Sequence, residues 1–172
     1  MIYFLYPASP LPHKRHSVLF TRPVCEFCVS NSIQIYLTIE NNARSIPGVS
    51  NYSFLHYSSH LTFLGRIPHS NVLSLMSTCH ALLFLSALES LGFPLIEAAE
   101  HSLPVIAPDK PYVRELLGSN FYPIVDNHCS VNPLDLLDSM NRFLTLPKIH
   151  SRLISKPLPV SDFSMLLMSM VP

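Results

Sequence analysis

Two glutamates, Glu89 and Glu97, lie eight residues apart with a glycine, Gly92, between them. Pro94 follows the glycine, and proline is favoured in the first turn of a helix because its missing N–H would have no partner there. We therefore expect Glu89 in a loop and Glu97 in the opening turns of a helix that begins at about Pro94. Such a turn has two kinds of polar group. Its carboxylates accept hydrogen bonds from hydroxyls, and its helix N-terminus favours an anion such as phosphate.

Two carboxylates around an anion-binding turn suit a ligand that carries a diphosphate between two polyols, such as a nucleotide sugar. The spacing alone leaves other interpretations open. Glu97 is equally compatible with a favourable acid near a helix N-terminus, worth about 0.3–1 kcal/mol, with Glu89 as a solvated loop residue. Glycosidases also place two carboxyl groups on either side of the bond that they cleave.

Apolar segments on both sides of this stretch supply its scaffold. Residues 81–85 precede it and residues 103–107 follow it, and both have the character of buried strands. The order strand, loop, helix, strand is typical of a parallel α/β sheet, in which ligands bind beyond the carboxyl ends of the strands.

Strands and helices alternate along the rest of the sequence, which predicts a single α/β, Rossmann-like domain over residues 1–146 with about six parallel strands flanked by helices. Pro23 predicts either that a helix starting at Lys14 breaks near Thr21 or that a second short helix begins at Pro23. Ser70 is the expected N-cap of a helix, and Gly118 the expected left-handed C-cap of another. Residues 147–172 form a tail without a clear pattern. The predicted strands are 2–6, 32–40, 61–64, 81–85, 103–107 and 120–125; the predicted helices are 71–76, 94–101, 111–117 and 133–144, the last with one face formed by Leu134, Leu137, Met140, Asn141 and Leu144.

The composition excludes several classes of protein. The formal net charge is zero, so nothing favours a nucleic acid as partner. No apolar run approaches the roughly 18 residues that span a bilayer, and the N-terminus lacks the basic leader of a signal peptide. We therefore expect a cytoplasmic protein.

Four cysteines raise the question of a metal site. Cys25 and Cys28 have the spacing of a zinc knuckle, and Cys79 and Cys129, each beside a histidine, are the remaining candidate ligands. A redox pair is the other functional alternative. All four cysteines lie in or beside apolar segments, which favours buried thiols and no metal site.

The central segment also resembles a known family. Residues 81–118, ALLFLSALESLGFPLIEAAEHSLPVIAPDKPYVRELLG, closely resemble the C-terminal, donor-binding domain of GT-B fold glycosyltransferases of family 4, whose E-x7-E element matches at Glu89 and Glu97. Upstream, FLYPASPLPHKRHSVL resembles the first strand and phosphate loop of that domain, and LTFLGRIPHSNVLSLMSTC resembles its base-contacting loop. The resemblance covers about residues 2–145 and implies half of a GT-B fold.

The resemblance also implies roles for individual residues. Glu97 would accept hydrogen bonds from the ribose hydroxyls, and Glu89 would be the catalytic residue at the transferred sugar. Lys14 matches a phosphate-binding lysine, although a solvated basic residue is its alternative interpretation. Arg66 and Ile67 would lie beside the base of the nucleotide. The backbone around the glycine would hold sugar hydroxyls and phosphate; this donor-binding turn consists of Ser90, Leu91, Gly92, Phe93, Pro94 and Leu95.

The activity implied by the resemblance is transfer of a sugar from a UDP- or GDP-sugar to a glycan or lipid-linked acceptor, with retention of configuration and without a metal or other cofactor. Family members have two Rossmann-like domains, and the sequence begins at the first strand of the second. We therefore expect that the chain alone binds nucleotide weakly and transfers little sugar, and that a separate N-terminal acceptor domain is its partner, with peripheral association at the inner face of the membrane. A non-catalytic nucleotide-binding remnant or interaction module and half of a GT-B nucleotide-sugar epimerase stay open. Ala8 and Ser9 replace the arginine that often follows the first strand.

Overall fold

The computed structural model describes residues 1–89, 91–126 and 131–154. Six strands form one parallel sheet with the order β3-β2-β1-β4-β5-β6. This is the strand order of a Rossmann fold, and the predicted α/β class is confirmed. The strands are β1 Ile2–Tyr6, β2 Ile33–Leu37, β3 Leu61–Phe63, β4 Ala81–Leu83, β5 Val105–Pro108 and β6 Tyr122–Ile124.

Helices connect the strands and cover both faces of the sheet. They are α1 Arg22–Ser30, α2 Asn51–His56, α3 His69–Met76, α4 Phe93–Glu100, α5 Pro111–Leu117 and α6 Pro133–Thr145, with short 3-10 helices at Pro12–Lys14, His16–Phe20 and Ala43–Ser45. Pro23 lies in the first turn of α1, and the preceding 3-10 helix ends at Phe20 with Thr21 as its C-cap, so the helical segment breaks near Thr21 and a second helix begins at Arg22, next to Pro23. No helix in the described part of the chain is long and apolar enough to cross a membrane.

The two faces of the sheet have separate hydrophobic cores. Side chains alternate along β1, so that Phe4 and Tyr6 enter one core and Leu5 enters the other. Helices α1 and α6 close the first core, and α3, α4 and α5 close the second. Because both faces are covered, the strands are apolar on both sides, which explains the continuous apolar runs in the sequence.

Four details differ from the sequence prediction. Leu134 is 64% exposed, and α6 buries Leu136 and Phe143 together with the predicted Met140, three positions that recur at helical spacing. Ser70 lies inside α3, which Pro68 precedes as N-cap. Gly118 has φ 60° and ψ −114°, a positive φ outside the left-handed helical region. Helix α2 was missed because its polar, short sequence gives little apolar periodicity.

The cysteines are free thiols wherever they are described. Cys25 and Cys28 are buried, as predicted, whereas Cys79 is only partly buried. Burial raises the pKa of the Cys28 thiol to about 12 and that of Cys79 to about 11. Cys129 and residues 155–172 lie outside the described residues.

The loops that follow β1 and β4 start at the carboxyl ends of these strands, where a ligand can bind in this type of sheet. These two strands are neighbours in the centre of the sheet, and the chain runs from β1 towards β3 on one side and from β4 towards β6 on the other. A crevice forms at such a switch point, because the loops that follow the two strands diverge. Both the loop containing Lys14 and the loop containing Glu89 start there.

Candidate functional site

An open pocket of about 940 Å³ lies at the carboxyl ends of β1, β2 and β3. Its walls come from the loop after β1, from residues 38–40 after β2, and from Arg66, Ile67 and His69 between β3 and α3. The first turns of α4 close the remaining side with Phe93, Pro94 and Glu97. Five of the residues predicted to bind a donor therefore line one cavity: Arg66, Ile67, Phe93, Pro94 and Glu97.

Glu97 points into this pocket from α4. Its side chain is 17% exposed, and its carboxylate lies 2.7 Å from Nε2 of His69, the first residue of α3. This contact fixes one oxygen of the carboxylate. Because a carboxylate has two acceptor oxygens, Glu97 retains capacity to accept hydrogen bonds from a ligand in the pocket. His69 was not foreseen from the sequence, because nothing in its spacing from Glu97 indicates contact.

Gly92 starts helix α4 in the way the sequence predicts. It is the N-cap residue, with φ 62° and ψ 44°, a left-handed conformation that disfavours residues with a side chain. A Cβ at this position would lie 3.2 Å from Cδ1 of Leu95 and 3.4 Å from Cδ1 of Leu116. Gly92 is therefore required both by its backbone conformation and by the close packing of α4 and α5.

The N-terminus of α4 offers fewer N–H groups than the predicted donor-binding turn implies. Pro94 has no N–H, and the N–H of Leu95 donates to the Gly92 carbonyl at 2.8 Å. The Leu95 side chain is fully buried in the core. Leu91, Gly92 and Phe93 are the backbone donors that remain in the described part of this turn, and Ser90 lies outside the described residues.

Lys14 and Glu89 form an ion pair next to this helix terminus. Their side chains are 15% and 16% exposed. The loop of Lys14 is held to its surroundings by two backbone contacts: the Tyr6 hydroxyl donates to the Lys14 carbonyl, and the Ala87 N–H donates to the carbonyl of His13 at 2.8 Å. The loops after β1 and β4 are thus joined, and Glu89, the partner of Lys14, lies three residues before Gly92, the N-cap of α4. Neither Lys14 nor Glu89 lines the 940 Å³ pocket.

A second, more buried charge cluster lies beyond Lys14. Nη1 of Arg15 donates to Oδ2 of Asp126 at 2.7 Å, and Nζ of Lys110 lies 3.1 Å from the same oxygen. The Asp126 side chain is inaccessible to solvent. Burial by itself would raise the pKa of Asp126, but the hydrogen bonds from Arg15 and Lys110 outweigh it and hold the pKa below its ordinary value.

Asp126 fixes the position of the loop after β1 through its ion pair with Arg15. Arg15 has φ 55°, a left-handed conformation that is unusual for a residue with a side chain and costs about 1–2 kcal/mol. The bidentate contact with Asp126, at 2.7 and 3.3 Å, offsets this cost and fixes the residue next to Lys14. The cluster was not foreseen because its members are separated by up to 111 residues in sequence.

His16 is buried under the same loop, against the ring of Tyr6 at a centroid distance of 4.7 Å. Neither ring nitrogen of His16 has a hydrogen-bond partner in the described part of the chain. Burial, together with the charge of Lys14, lowers the pKa of His16 to about 4. The imidazole is therefore neutral at pH 7, and adding a proton would place a charge beneath the loop of Lys14.

The described residues contain no group of three or more histidine, cysteine, aspartate or glutamate side chains arranged to hold a metal ion. His80 and Cys79 do not join the Cys25–Cys28 pair in such a group. Cys129 and His128, the other candidate ligands from the sequence, lie outside the described residues.

Comparison with known proteins gives a family match and a fold match. The family model described as glycosyl transferases group 1 matches residues 52–156, more than half of the 172-residue chain. The matched segment includes Glu89, Glu97 and the base-side residues Arg66 and Ile67. A search of curated proteins finds no match.

Solved structures with the same fold include proteins much longer than this chain, some of them with bound UDP or a UDP-sugar. The Anabaena protein HepE in complex with UDP-glucose superposes with a TM-score of 0.59 at 14% identity, over 84% of this chain and 39% of that one. The pneumococcal O-GlcNAc transferase GtfA in complex with UDP and GlcNAc gives a TM-score of 0.62 at 16% identity, over 86% and 30%. The chain thus spans less than half the length of the structures that it matches.

Proposed function

Because this chain belongs to the glycosyl transferases group 1 family, we propose that it is the C-terminal, donor-binding half of a retaining, family 4 glycosyltransferase that uses a nucleotide-diphosphate sugar. The observation that carries the proposal is the alignment of three features along one edge of the sheet. The Glu97 carboxylate lies in the pocket, the α4 N-terminus adjoins it, and the Lys14–Glu89 pair follows.

Each feature suits one part of the donor. The pocket has apolar walls for the base, and Glu97 accepts hydrogen bonds from the ribose hydroxyls. The N-terminus of α4 and the Lys14 ammonium take the diphosphate, because the helix dipole and the lysine both favour negative charge. The transferred sugar then lies at Glu89.

In the proposed reaction, the bond between the sugar C1 and the β-phosphate oxygen breaks while the acceptor oxygen bonds to C1 on the same face. The acceptor proton passes to the departing diphosphate, whose added charge Lys14 stabilises. Glu89 stabilises positive charge that develops on the sugar ring, because carboxylates favour a nearby cation. This proposal requires no metal ion, since the lysine and the helix terminus supply the positive field.

In this proposal a separate N-terminal domain binds the acceptor, which is a glycan or a lipid-linked molecule. The assembled enzyme associates peripherally with the inner face of a membrane. The pocket at this edge of the sheet is open in the described part of the chain. An open site neither orients an acceptor nor excludes water, so the gains from proximity are lost. Sugar transfer by the 172-residue chain alone would contradict this part of the proposal.

Titration with UDP and GDP tests the donor site directly. Glu97→Ala is expected to weaken binding of the preferred nucleotide at least about tenfold, because charge-assisted hydrogen bonds to the ribose are lost. Glu100→Ala is the matched control: Glu100 lies on the same helix, is exposed and does not line the pocket. Isothermal titration calorimetry measures both. The site assignment is rejected if neither UDP nor GDP binds, or if the Glu97→Ala variant binds as tightly as the wild type.

Lys14 and Glu89 are expected to affect diphosphate binding in opposite directions. Lys14→Ala should weaken UDP or GDP by about 10- to 100-fold, because a charge-assisted contact with phosphate is lost. Glu89→Gln should strengthen it by about fivefold, because a negative charge near the diphosphate is removed and Lys14 is released.

The corresponding nucleosides, uridine and guanosine, serve as ligands without phosphate. Their affinities should be unchanged in both variants if the effects arise at the diphosphate. The assignment of Lys14 fails if Lys14→Ala weakens nucleoside and nucleoside diphosphate equally, since that result indicates a general disturbance of the pocket.

A further inference from the structure

We propose that Glu40 makes the donor pocket selective for guanine over uracil nucleotides, an inference that rests on the proposed function. Glu40 follows β2 at the end of the pocket formed by the predicted base-contacting loop. The identity of the base is thereby linked to one side chain that neither the sequence motifs nor the family match assigns.

The Glu40 carboxylate lies beside Gly65 in the base-contacting loop. The Gly65 N–H donates to the carbonyl of Ile39 at 3.1 Å, which joins the ends of β2 and β3. A Cβ placed on Gly65 would lie 3.2 Å from Oε1 of Glu40. Because Gly65 also has φ +67°, this position disfavours any side chain, and the carboxylate borders the pocket without cover from that loop.

Glu40 is also unlike the other carboxylates of the site. Glu89 pairs with Lys14, Glu97 contacts His69, and Asp126 is held by two cations. Among the described residues, no hydrogen bond or ion pair involves the Glu40 carboxylate. Both of its oxygens are therefore available as acceptors for a ligand.

Guanine presents two adjacent donors on one edge, N1–H and the exocyclic N2 amine, which match the two oxygens of a carboxylate. Uracil presents one N–H between two carbonyl oxygens. An ionised carboxylate only accepts hydrogen bonds, so it pairs with the first edge twice and is repelled by the carbonyls of the second. A site that hydrogen-bonds a polar group discriminates strongly against the analogue that lacks it.

The other polar groups of the pocket do not reverse this preference. Arg66 has only donors, and guanine and uracil both offer a carbonyl to it. His69 is occupied by Glu97 at 2.7 Å, on the side of the pocket formed by α4. Ile39 and Ile67 supply apolar wall for either ring. The hydroxyls of Ser9, Thr38 and Ser45 both donate and accept, so they suit either base. Glu40 is the pocket carboxylate without a partner in the described part of the chain, and its chemistry separates the two bases.

Calorimetric titration of the full chain with GDP, IDP and UDP tests the inference, because inosine is guanosine without the N2 amine. In the wild type, GDP should bind at least about tenfold more tightly than IDP or UDP. Glu40→Gln should weaken GDP to within about threefold of IDP and leave UDP unchanged or tighter. Glu100→Gln, the change of an exposed glutamate outside the pocket, should preserve the full preference for GDP.

The outcomes separate this inference from the proposed function. If UDP binds as tightly as GDP and Glu97→Ala weakens both, the donor site stands and the role of Glu40 is refuted. Equal affinities of GDP and IDP, or a GDP preference that persists in Glu40→Gln, also refute it. If none of the nucleotides binds, the proposed function fails and the inference fails with it.

Discussion

Acidification from pH 6.5 to pH 4 is expected to lower the free energy of unfolding by several kcal/mol, because His16 and His60 are buried in the neutral form. Burial lowers the pKa of each from 6.5 to about 4. In this window the unfolded chain binds more protons than the folded one, so stability falls as the pH falls. The fully developed loss, reached below pH 4, is about 3 kcal/mol per histidine.

Urea denaturation at a series of pH values measures this loss. His16→Leu and His60→Leu should each flatten the dependence of the unfolding free energy on pH between 6.5 and 4, whatever their effect at pH 7. His56→Gln is the control, because His56 is exposed. If the variant with both leucines keeps the slope of the wild type, the buried histidines are not its source.

Only one of the two histidines lies near the proposed ligand site, so protonation of His16 and protonation of His60 should affect nucleotide binding differently. His60 precedes β3, where its carbonyl accepts from the Ile35 N–H at 2.9 Å. His16 lies beneath the loop of Lys14 against Tyr6. We therefore expect nucleotide affinity to fall on acidification through His16, and His16→Leu to reduce that dependence while His60→Leu does not.

Asp126→Ala is expected to destabilise the protein by about 3–5 kcal/mol at pH 7. The substitution leaves the guanidinium of Arg15 and the ammonium of Lys110 without their shared carboxylate, and removing one partner of a buried ion pair is costly because the remaining charge stays desolvated. The Arg15 side chain is 9% exposed and that of Lys110 is 14% exposed. Urea denaturation at pH 7 gives the measurement.

Asp109→Ala is the matched control for this prediction. Asp109 also pairs with an arginine, Arg114, but the two side chains are 37% and 53% exposed. Water compensates exposed charges, so this substitution should cost no more than about 1 kcal/mol. Similar losses for Asp126→Ala and Asp109→Ala would show that burial of the Asp126 cluster is not what determines its contribution.

The sequence predicted the parts of the fold that depend on local pattern. All six strands of the sheet and their parallel arrangement followed from alternating apolar runs and helices, and Pro94 and Gly92 marked the start of α4 within one residue. The predicted face of α6 was wrong at Leu134, which is exposed, and right at Met140, which is buried. Packing against the sheet also buries Leu136 and Phe143, which the sequence prediction did not include.

The site likewise contains residues that the sequence indicated and contacts that it did not. The family resemblance assigned Glu97, Arg66 and Ile67 to a donor site, and all three line the pocket, while their roles stay predictions. Contacts between distant segments were not foreseen: Lys14 with Glu89, and Arg15 with Asp126, join loops that only the order of the strands brings together. The signal that could have indicated them is topological, because both pairs lie beyond the carboxyl ends of parallel strands.

The parallel sheet has a consequence for engineering this protein. Every strand delivers its ligand-facing loop to the same edge, so the turns at the opposite edge contribute no residue to the pocket. Those turns include two serines with positive φ, Ser32 and Ser102, where glycine would relieve backbone strain. Affinity tags and stabilising substitutions are best introduced at that edge, where they change the stability of the fold and leave the residues of the pocket unchanged.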